Sequence, residues 1–180
     1  RKNIFLAGFL NHTNAQNLNC LAIAKYLDQS KYKVFALAIS SLPKVVTPAI
    51  VFNCSYPFRV SSIVGFLWGI FKCDVVYFPK HKSTPNWIIY IAKLLGKRIF
   101  TTIENNMCDT HKESMLNSFG NQRKLIASFK YISNVFGITK FIIDNANCGV
   151  QLSKKVLYLD VDTELFFARE RRVLRNVFFL

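Results

Sequence analysis

At 180 residues the chain is sized for one domain, and a hydrophobic share of 51% with 17 phenylalanines excludes a disordered segment and provides for a real core. Its 24 Lys and Arg against 10 Asp and Glu leave a net charge of +14, which favours phosphate-rich partners: nucleic acid, an anionic membrane face or a phosphorylated small molecule. The charges are scattered, only Lys154-Lys155, Arg123-Lys124 and residues 169–175 approaching patches, so plain solvation of a basic surface is the competing reading.

The first apolar run, residues 3–9 (NIFLAGF), is short, continuously apolar and closed by Asn11-His12-Thr13-Asn14, the pattern of a buried parallel strand. Cys20, Ile23, Ala24 and Leu27 then fall at i, i+3, i+4 and i+7, predicting a helix with one buried face, capped by Thr13 or Asn14. Residues 32–39 (YKVFALAI) predict a second strand, and 50–53 a third after Pro43 and Pro48 break the chain. A helix is expected over 59–71 and a fourth strand over 74–78 (DVVYF), stopped by Pro79. In the next helix Thr84 is the N-cap, Pro85 the first helical position, Ile88, Ile91 and Leu95 the buried stripe and Gly96 the stop. Residues 97–102 (KRIFTT) predict a fifth strand, followed by a polar loop carrying Glu104 through Asp109. A helix around 121–132 buries Leu125, Ile126, Phe129 and Ile132. Residues 134–138 are a sixth strand, Thr139 caps a short helix ending near Gly149, and 155–159 are a seventh strand.

Strands alternating with helices at this spacing predict an α/β fold: a Rossmann-like, doubly wound, mostly parallel sheet of about six or seven strands with helices on both faces. Ligands of such sheets bind beyond the carboxyl ends of the strands, so the loops at 8–17, 79–84 and 103–111 are the functional candidates. The first has Gly8 alone where a dinucleotide fingerprint needs G-x-G-x-x-G, and neither a phosphate loop nor a G-x-S-x-G elbow occurs. His12, His81 and His111 each lie on a different one of these loops, but no carboxylate or cysteine spacing supports them as ligands, and no metal is expected. Glu104 and Asp109 are candidates for a base and its orienting group, and equally for helix caps or surface charges.

Five widely spaced cysteines without a C-x-x-C pair argue against a disulfide framework or zinc site and fit a reducing cytoplasm. The most apolar stretch, residues 63–71 (IVGFLWGIF), is about half the ~20 residues a membrane crossing needs. Arg1-Lys2-Asn3 leads straight into a strand, so no secretory leader is expected, and the missing initial Met reads as a trimmed or processed chain.

The closing stretch VLYLDVDTELFFARERR (156–172) ends a strand in an acidic cluster. Val161-Asp162-Thr163-Glu164-Leu165-Phe166 resembles the V-D-x-x-x-F turn that ends the amino-terminal domain of GT-B-fold glycosyltransferases, most similar to the family 4 group of retaining, nucleotide-sugar-dependent enzymes. Residues 176–180 (NVFFL) resemble the start of that family's second domain, LAIAKYL its first helix, CDVVYF its D-V-V-H strand and KRIFTTIE the strand before its acceptor loop. The family's Gly-Gly falls at Asn14-Ala15, its N-G at Leu159-Asp160, and its frequent loop histidine at Glu104.

The resemblance implies residues 1–165 as a Rossmann-like acceptor-binding domain and 166–180 as the link into a carboxyl-terminal domain that would bind the donor. It implies a nucleotide-diphosphate sugar as donor substrate with no further cofactor, a glycan or lipid-linked acceptor, a role in polysaccharide biosynthesis, and no transfer by this chain alone. The acceptor half-site would draw on Gly8, where a backbone can approach a phosphate, Asn11, His12 and Asn14; on Lys80, His81 and Lys82; and on Glu104 and Asn105, with Glu104 the one catalytic candidate. The expected location is the cytoplasm, with peripheral contact at an anionic inner membrane face, where each Lys or Arg contributes about 1 kcal/mol and the helix over 60–71 adds apolar contact or is packed core. A different nucleotide-dependent Rossmann-like enzyme would show an acidic residue closing the second strand, where Ile39-Ser40-Ser41 has none. The alternative is a non-catalytic basic binding module for phosphate-rich ligands or nucleic acid, although no specific nucleic-acid motif is present.

Overall fold

The computed structural model describes residues 1–79, 85–104, 107, 115–145, 148–153 and 155–157. Six strands, β1 (Lys2–Phe9), β2 (Tyr32–Ile39), β3 (Ile50–Cys54), β4 (Val75–Tyr77), β5 (Arg98–Ile103) and β6 (Asn134–Gly137), form one sheet in the order β3-β2-β1-β4-β5-β6. Every pairing is parallel. The chain works outward from β1 to β3, returns to place β4 against the other side of β1, and works outward again to β6. This is the Rossmann-like α/β architecture the alternating pattern predicts.

The helices are α1 (Ala15–Tyr26), α2 (Phe58–Lys72), α3 (Asn86–Leu94), α4 (Met115–Phe119), α5 (Gln122–Phe129) and α6 (Lys140–Asn145). Consecutive residues of β1 and β2 feed different cores, as the two-residue period of a strand requires. Phe5, Ala7, Phe35 and Leu37 join one cluster with Phe66 and Ile70 of α2, Ile88, Ile89 and Ala92 of α3, and Leu125 and Phe129 of α5. Leu6, Val34 and Ala36 join the other with Cys20 and Ala24 of α1.

Several local expectations shift. Among the described residues the seventh strand reduces to a single parallel bridge between Gly137 and Val156, and the predicted domain seam at Asp160–Asp162 lies outside them. Thr84 also lies outside, and Pro85 stands at the N-cap rather than the first helical position, its φ of −65° and missing N–H suiting both places. Ile126 and Leu95, expected in buried stripes, are exposed. Both helices carry apolar residues at nearly adjacent positions, so their spacing leaves the helical phase open, and packing selects Ile88, Ile89 and Ala92 on one and Leu125 and Phe129 on the other. The five-residue α4 is too short to carry a readable period.

α2 is both packed core and exposed surface. Ser62, Gly65, Phe66, Gly69 and Ile70 face the sheet, while Val60, Val64 and Phe71 stay exposed. Gly65 and Gly69, one turn apart, are the points of closest approach. A Cβ on Gly69 would collide with the ring of Phe5, itself fully buried, and one on Gly65 would stand within 2.9 Å of Leu37 and Phe52. Helix propensity alone would make Gly69→Ala stabilising by about 1 kcal/mol. Overpacking against an immobile ring reverses the sign, and we expect a net loss of about 1–3 kcal/mol in urea denaturation. Val60→Ala on the exposed side of the same helix should stay within about 0.5 kcal/mol of the parent.

Candidate functional site

β1 and β4 lie side by side with connections departing in opposite directions, so the switch point beyond whose carboxyl ends this architecture binds ligands falls between them. The ladder between β1 and β2 slips between Leu6 and Phe9, and Gly8 sits in that slip. A Cβ on Gly8 would stand 2.8 Å from Cys20 Sγ and 3.0 Å from Asn17 Oδ1. The missing side chain is thus filled by α1, which descends onto the strand end. Asn17, buried on α1, accepts a hydrogen bond from Phe9 N at 3.1 Å, and Asn14 caps the helix by accepting from Asn17 N at 2.8 Å. His12 Nδ1 lies 3.4 Å from the side-chain amide nitrogens of both Asn14 and Asn17.

Asn11 turns the other way. Its Oδ1 accepts from Ile39 N at 2.8 Å and its Nδ2 donates to Ile39 O at 2.8 Å and Pro43 O at 3.2 Å. The side chain imitates a strand partner for the end of β2, tying the loop after β1 to the loop after β2.

Glu104 follows β5 and reaches back to α1, where Asn19 Nδ2 donates to its Oε1 at 2.9 Å. Burial pushes the carboxyl above its ordinary value of 4.5, and the Asn19 bond opposes that shift in part. Near it, the Cys20 thiol is pushed up by burial and further by the Glu104 charge. Tyr77 is pushed up by burial, then by Cys20 and Glu104, and its hydroxyl shares a 2.7 Å hydrogen bond with Thr102 Oγ1. Cys20 therefore stays a thiol and is no nucleophile. A half-buried carboxyl held by one neutral amide is suited to accept a proton from, or orient, a ligand hydroxyl.

A cavity of about 360 Å³ opens beside this switch point, between the carboxyl ends of β1, β2 and β3; Asn11, Ser40, Lys44, Thr47 and Asn53 give it a polar lining with one cation. A larger cavity of about 510 Å³ lies at the amino end of β6, between Phe129, Ser133, Gly149 and Ser153. The smaller is the better ligand site because it lies at the carboxyl ends of the strands, the side on which this architecture binds ligands. Lys80, His81, Lys82, Asn105, Asp109 and His111 fall outside the described residues.

No family model matches this chain, and no curated protein does. The geometry therefore has to carry the reading. Of the sequence candidates it describes, Gly8, Asn11, His12 and Asn14 gather at the end of β1, and Glu104 is held to α1 by Asn19. Asn19 escaped the sequence reading, and Asn17 entered it only as the last residue of the loop at 8–17, with no role of its own. Asn17 was findable, since it precedes Cys20 and Ala24 at helical spacing and an amide on a buried face demands a partner. Asn19 pairs across 85 residues, for which local spacing holds no signal.

Among the described residues no group of three or more His, Cys, Asp or Glu is gathered, and no helix is long and apolar enough to cross a membrane. Cys20, Cys54 and Cys73 are free and buried, with Cys73 pushed up to about 12 chiefly by burial. Cys148 is disulfide-bonded, which the reading of the cysteine spacing did not foresee.

Two substitutions test this geometry. Asn11→Ala leaves Ile39 N without its partner and should cost about 1–3 kcal/mol in denaturant unfolding. For Glu104 the folded state binds its proton more tightly than the unfolded state, so its stabilising contribution is full below the unfolded carboxyl pKa and is lost as pH rises through the folded value. Glu104→Gln keeps an acceptor for Asn19 and removes the charge. Melting temperatures of variant and parent should agree in acid and diverge in favour of the variant as pH rises toward neutrality.

Proposed function

We propose that this chain is the acceptor-binding half of a nucleotide-sugar-dependent glycosyltransferase of the GT-B type, acting in glycan or polysaccharide biosynthesis. The observation that supports the reading most is the reversal of strand order at β1 and β4, with Glu104 tied to α1 through Asn19 and a polar cavity lined by Asn11 at the ends of β1, β2 and β3, and with no glycine fingerprint for a dinucleotide. The V-D-T-E-L-F run at 161–166 adds support from sequence. In this reading the loops after β1, β4 and β5 hold the acceptor, and a second lobe supplies the donor site.

The chemistry divides accordingly. Transfer needs positive groups or helix amino termini around the leaving diphosphate, and these belong to the second lobe. The half described here positions the acceptor hydroxyl, and Glu104 takes or orients its proton. A base that starts with a raised pKa sits closer to neutrality, where it is both ionised and basic enough to act. The excess of basic residues, at +14, suits an acceptor that bears phosphate.

The parent protein, assayed for nucleoside-diphosphate release with nucleotide sugars and lipid-linked or phosphorylated glycan acceptors, should turn over, and the 180-residue chain alone should not. Glu104→Gln should lower kcat of the parent by about 100-fold, and activity should rise with pH through the raised carboxyl value. A parent reading frame without a second Rossmann-like lobe would overturn the proposal. Sugar-indifferent binding to nucleic acid that weakens steeply with salt would overturn it in favour of a basic binding module.

A further inference from the structure

β3 ends the sheet on one side, and its outer edge is bare at the centre. Ser40 N donates to Cys54 O at 2.9 Å and Ile39 is the register partner of Cys54, so Cys54 turns its backbone groups toward β2. The alternation of a strand gives Ile50 and Phe52 the same direction and turns the N–H and C=O of Val51 and Asn53 outward. At either end the next outward N–H is taken by the chain itself: Ala49 N donates to Thr47 Oγ1 at 3.3 Å and Ser55 N to Ser61 Oγ at 3.0 Å. Val51 and Asn53 have no such bond among the described residues. The opposite edge is treated differently. Along β6, Ser153 N donates to Val135 O at 2.7 Å and Leu157 N to Gly137 O at 3.0 Å.

Folded proteins blunt an open edge with lysine, proline or a bulge on the strand. β3 has none of these: its sequence IVFNC runs beside β2 in unbroken register. Residues 45–58 carry no charged side chain, in a chain of net charge +14. On this strip no cation opposes its counterpart when two copies meet, and no charge is present to select a charged partner. The strip offers backbone and apolar surface instead. Tyr56 and Val46, 96% and 91% exposed, are the most exposed large apolar residues described, and Ile50 is 40% exposed.

We propose that two copies of the chain pair antiparallel through β3, joining two six-stranded sheets across a two-fold axis at Phe52. In that register Val51 and the partner's Asn53 form a hydrogen-bonded pair, and so do Asn53 and the partner's Val51, which satisfies the open groups of both edges. Phe52 meets the partner's Phe52 at the closer, non-hydrogen-bonded spacing, each ring backed by its own Trp68 at 5.5 Å. Tyr56, past the carboxyl end of β3, comes to the amino end of the partner's strand. The contact is isologous and consumes the β3 edge of each copy, so it closes at a pair. Val51 and Asn53 also line the smaller cavity, so the partner's strand stands along its wall. The pairing is independent of the transferase reading, because it rests on the edge and not on what the strand ends receive.

Sedimentation velocity over a wide concentration range, with amide hydrogen exchange read by NMR on the isotope-labelled chain, tests it. A monomer–dimer equilibrium is expected, and exchange at Val51 and Asn53 should slow by about tenfold or more as the dimer fills. Asn53→Lys sets cations diagonally across the axis and should raise the dimer Kd by about tenfold or more. Since Asn53 is exposed, the melting temperature of the dilute, monomeric variant should match the parent. A chain that stays monomeric at high concentration overturns the proposal, as does a dimer Kd indifferent to Asn53→Lys. A dimer in which Val51 and Asn53 exchange independently of concentration places the contact elsewhere and overturns it too. Association that continues past the dimer does the same, by making the edge an aggregation site. The exchange measurement uses the unaltered chain, so the result does not depend on the variant's folding.

Discussion

β1 is held from both sides by helices that can come so close only because side chains are missing at the contacts. On one side Gly69 of α2 receives the ring of Phe5; on the other Gly8 of the strand receives Cys20 and Asn17 of α1. Both contacts replace a methyl group with a neighbour's atoms, and close packing of this kind tolerates few alternatives. β1 is also the strand where the sheet order reverses. Fixing its two helices therefore fixes where the switch point lies and what stands at its rim.

The rim is built from amides. Asn11, Asn14, Asn17 and Asn19 each use a side chain to complete hydrogen bonding that the backbone leaves open or to hold a neighbour, so the loop after β1 is set by the fold and not left to a ligand. Such a preorganised loop needs little reordering on binding. Glu104 is the exception in charge. Its carboxyl is the acidic group in a neighbourhood where Cys20 and Tyr77 remain protonated, and burial holds it closer to neutrality than a surface glutamate.

Much of the fold is legible in the residues. The runs at 3–9 and 32–39 are short and apolar on both faces, as a strand buried on both sides should be, and Cys20 and Ala24 already mark the face α1 buries. The order of strands is not legible, because parallel partners are chosen by packing between residues far apart in the chain. The phases of α3 and α5 are lost where apolar residues crowd around the helix, as with Leu95 and Ile126. Of the site, the loop after β1 could be read from its position, and Gly8 was noticed for its backbone; that its open side faces α1 depends on Asn17 and Cys20. The exposed side of α2 was visible only as hydrophobicity, since sequence does not say which half of an all-apolar helix the sheet leaves uncovered.

The claim beneath the whole account is that ligand is received at the carboxyl ends of β1, β4 and β5, around the reversal of strand order, with the cavity at the end of β2 beside them. Backbone amide NMR of the isotope-labelled chain during titration with a hexose 1-phosphate addresses it most directly. The account predicts shifts centred on residues 10–14, 39–44 and 104. Shifts confined to Ser133 and residues 149–153, around the larger cavity at the amino end of β6, would contradict it.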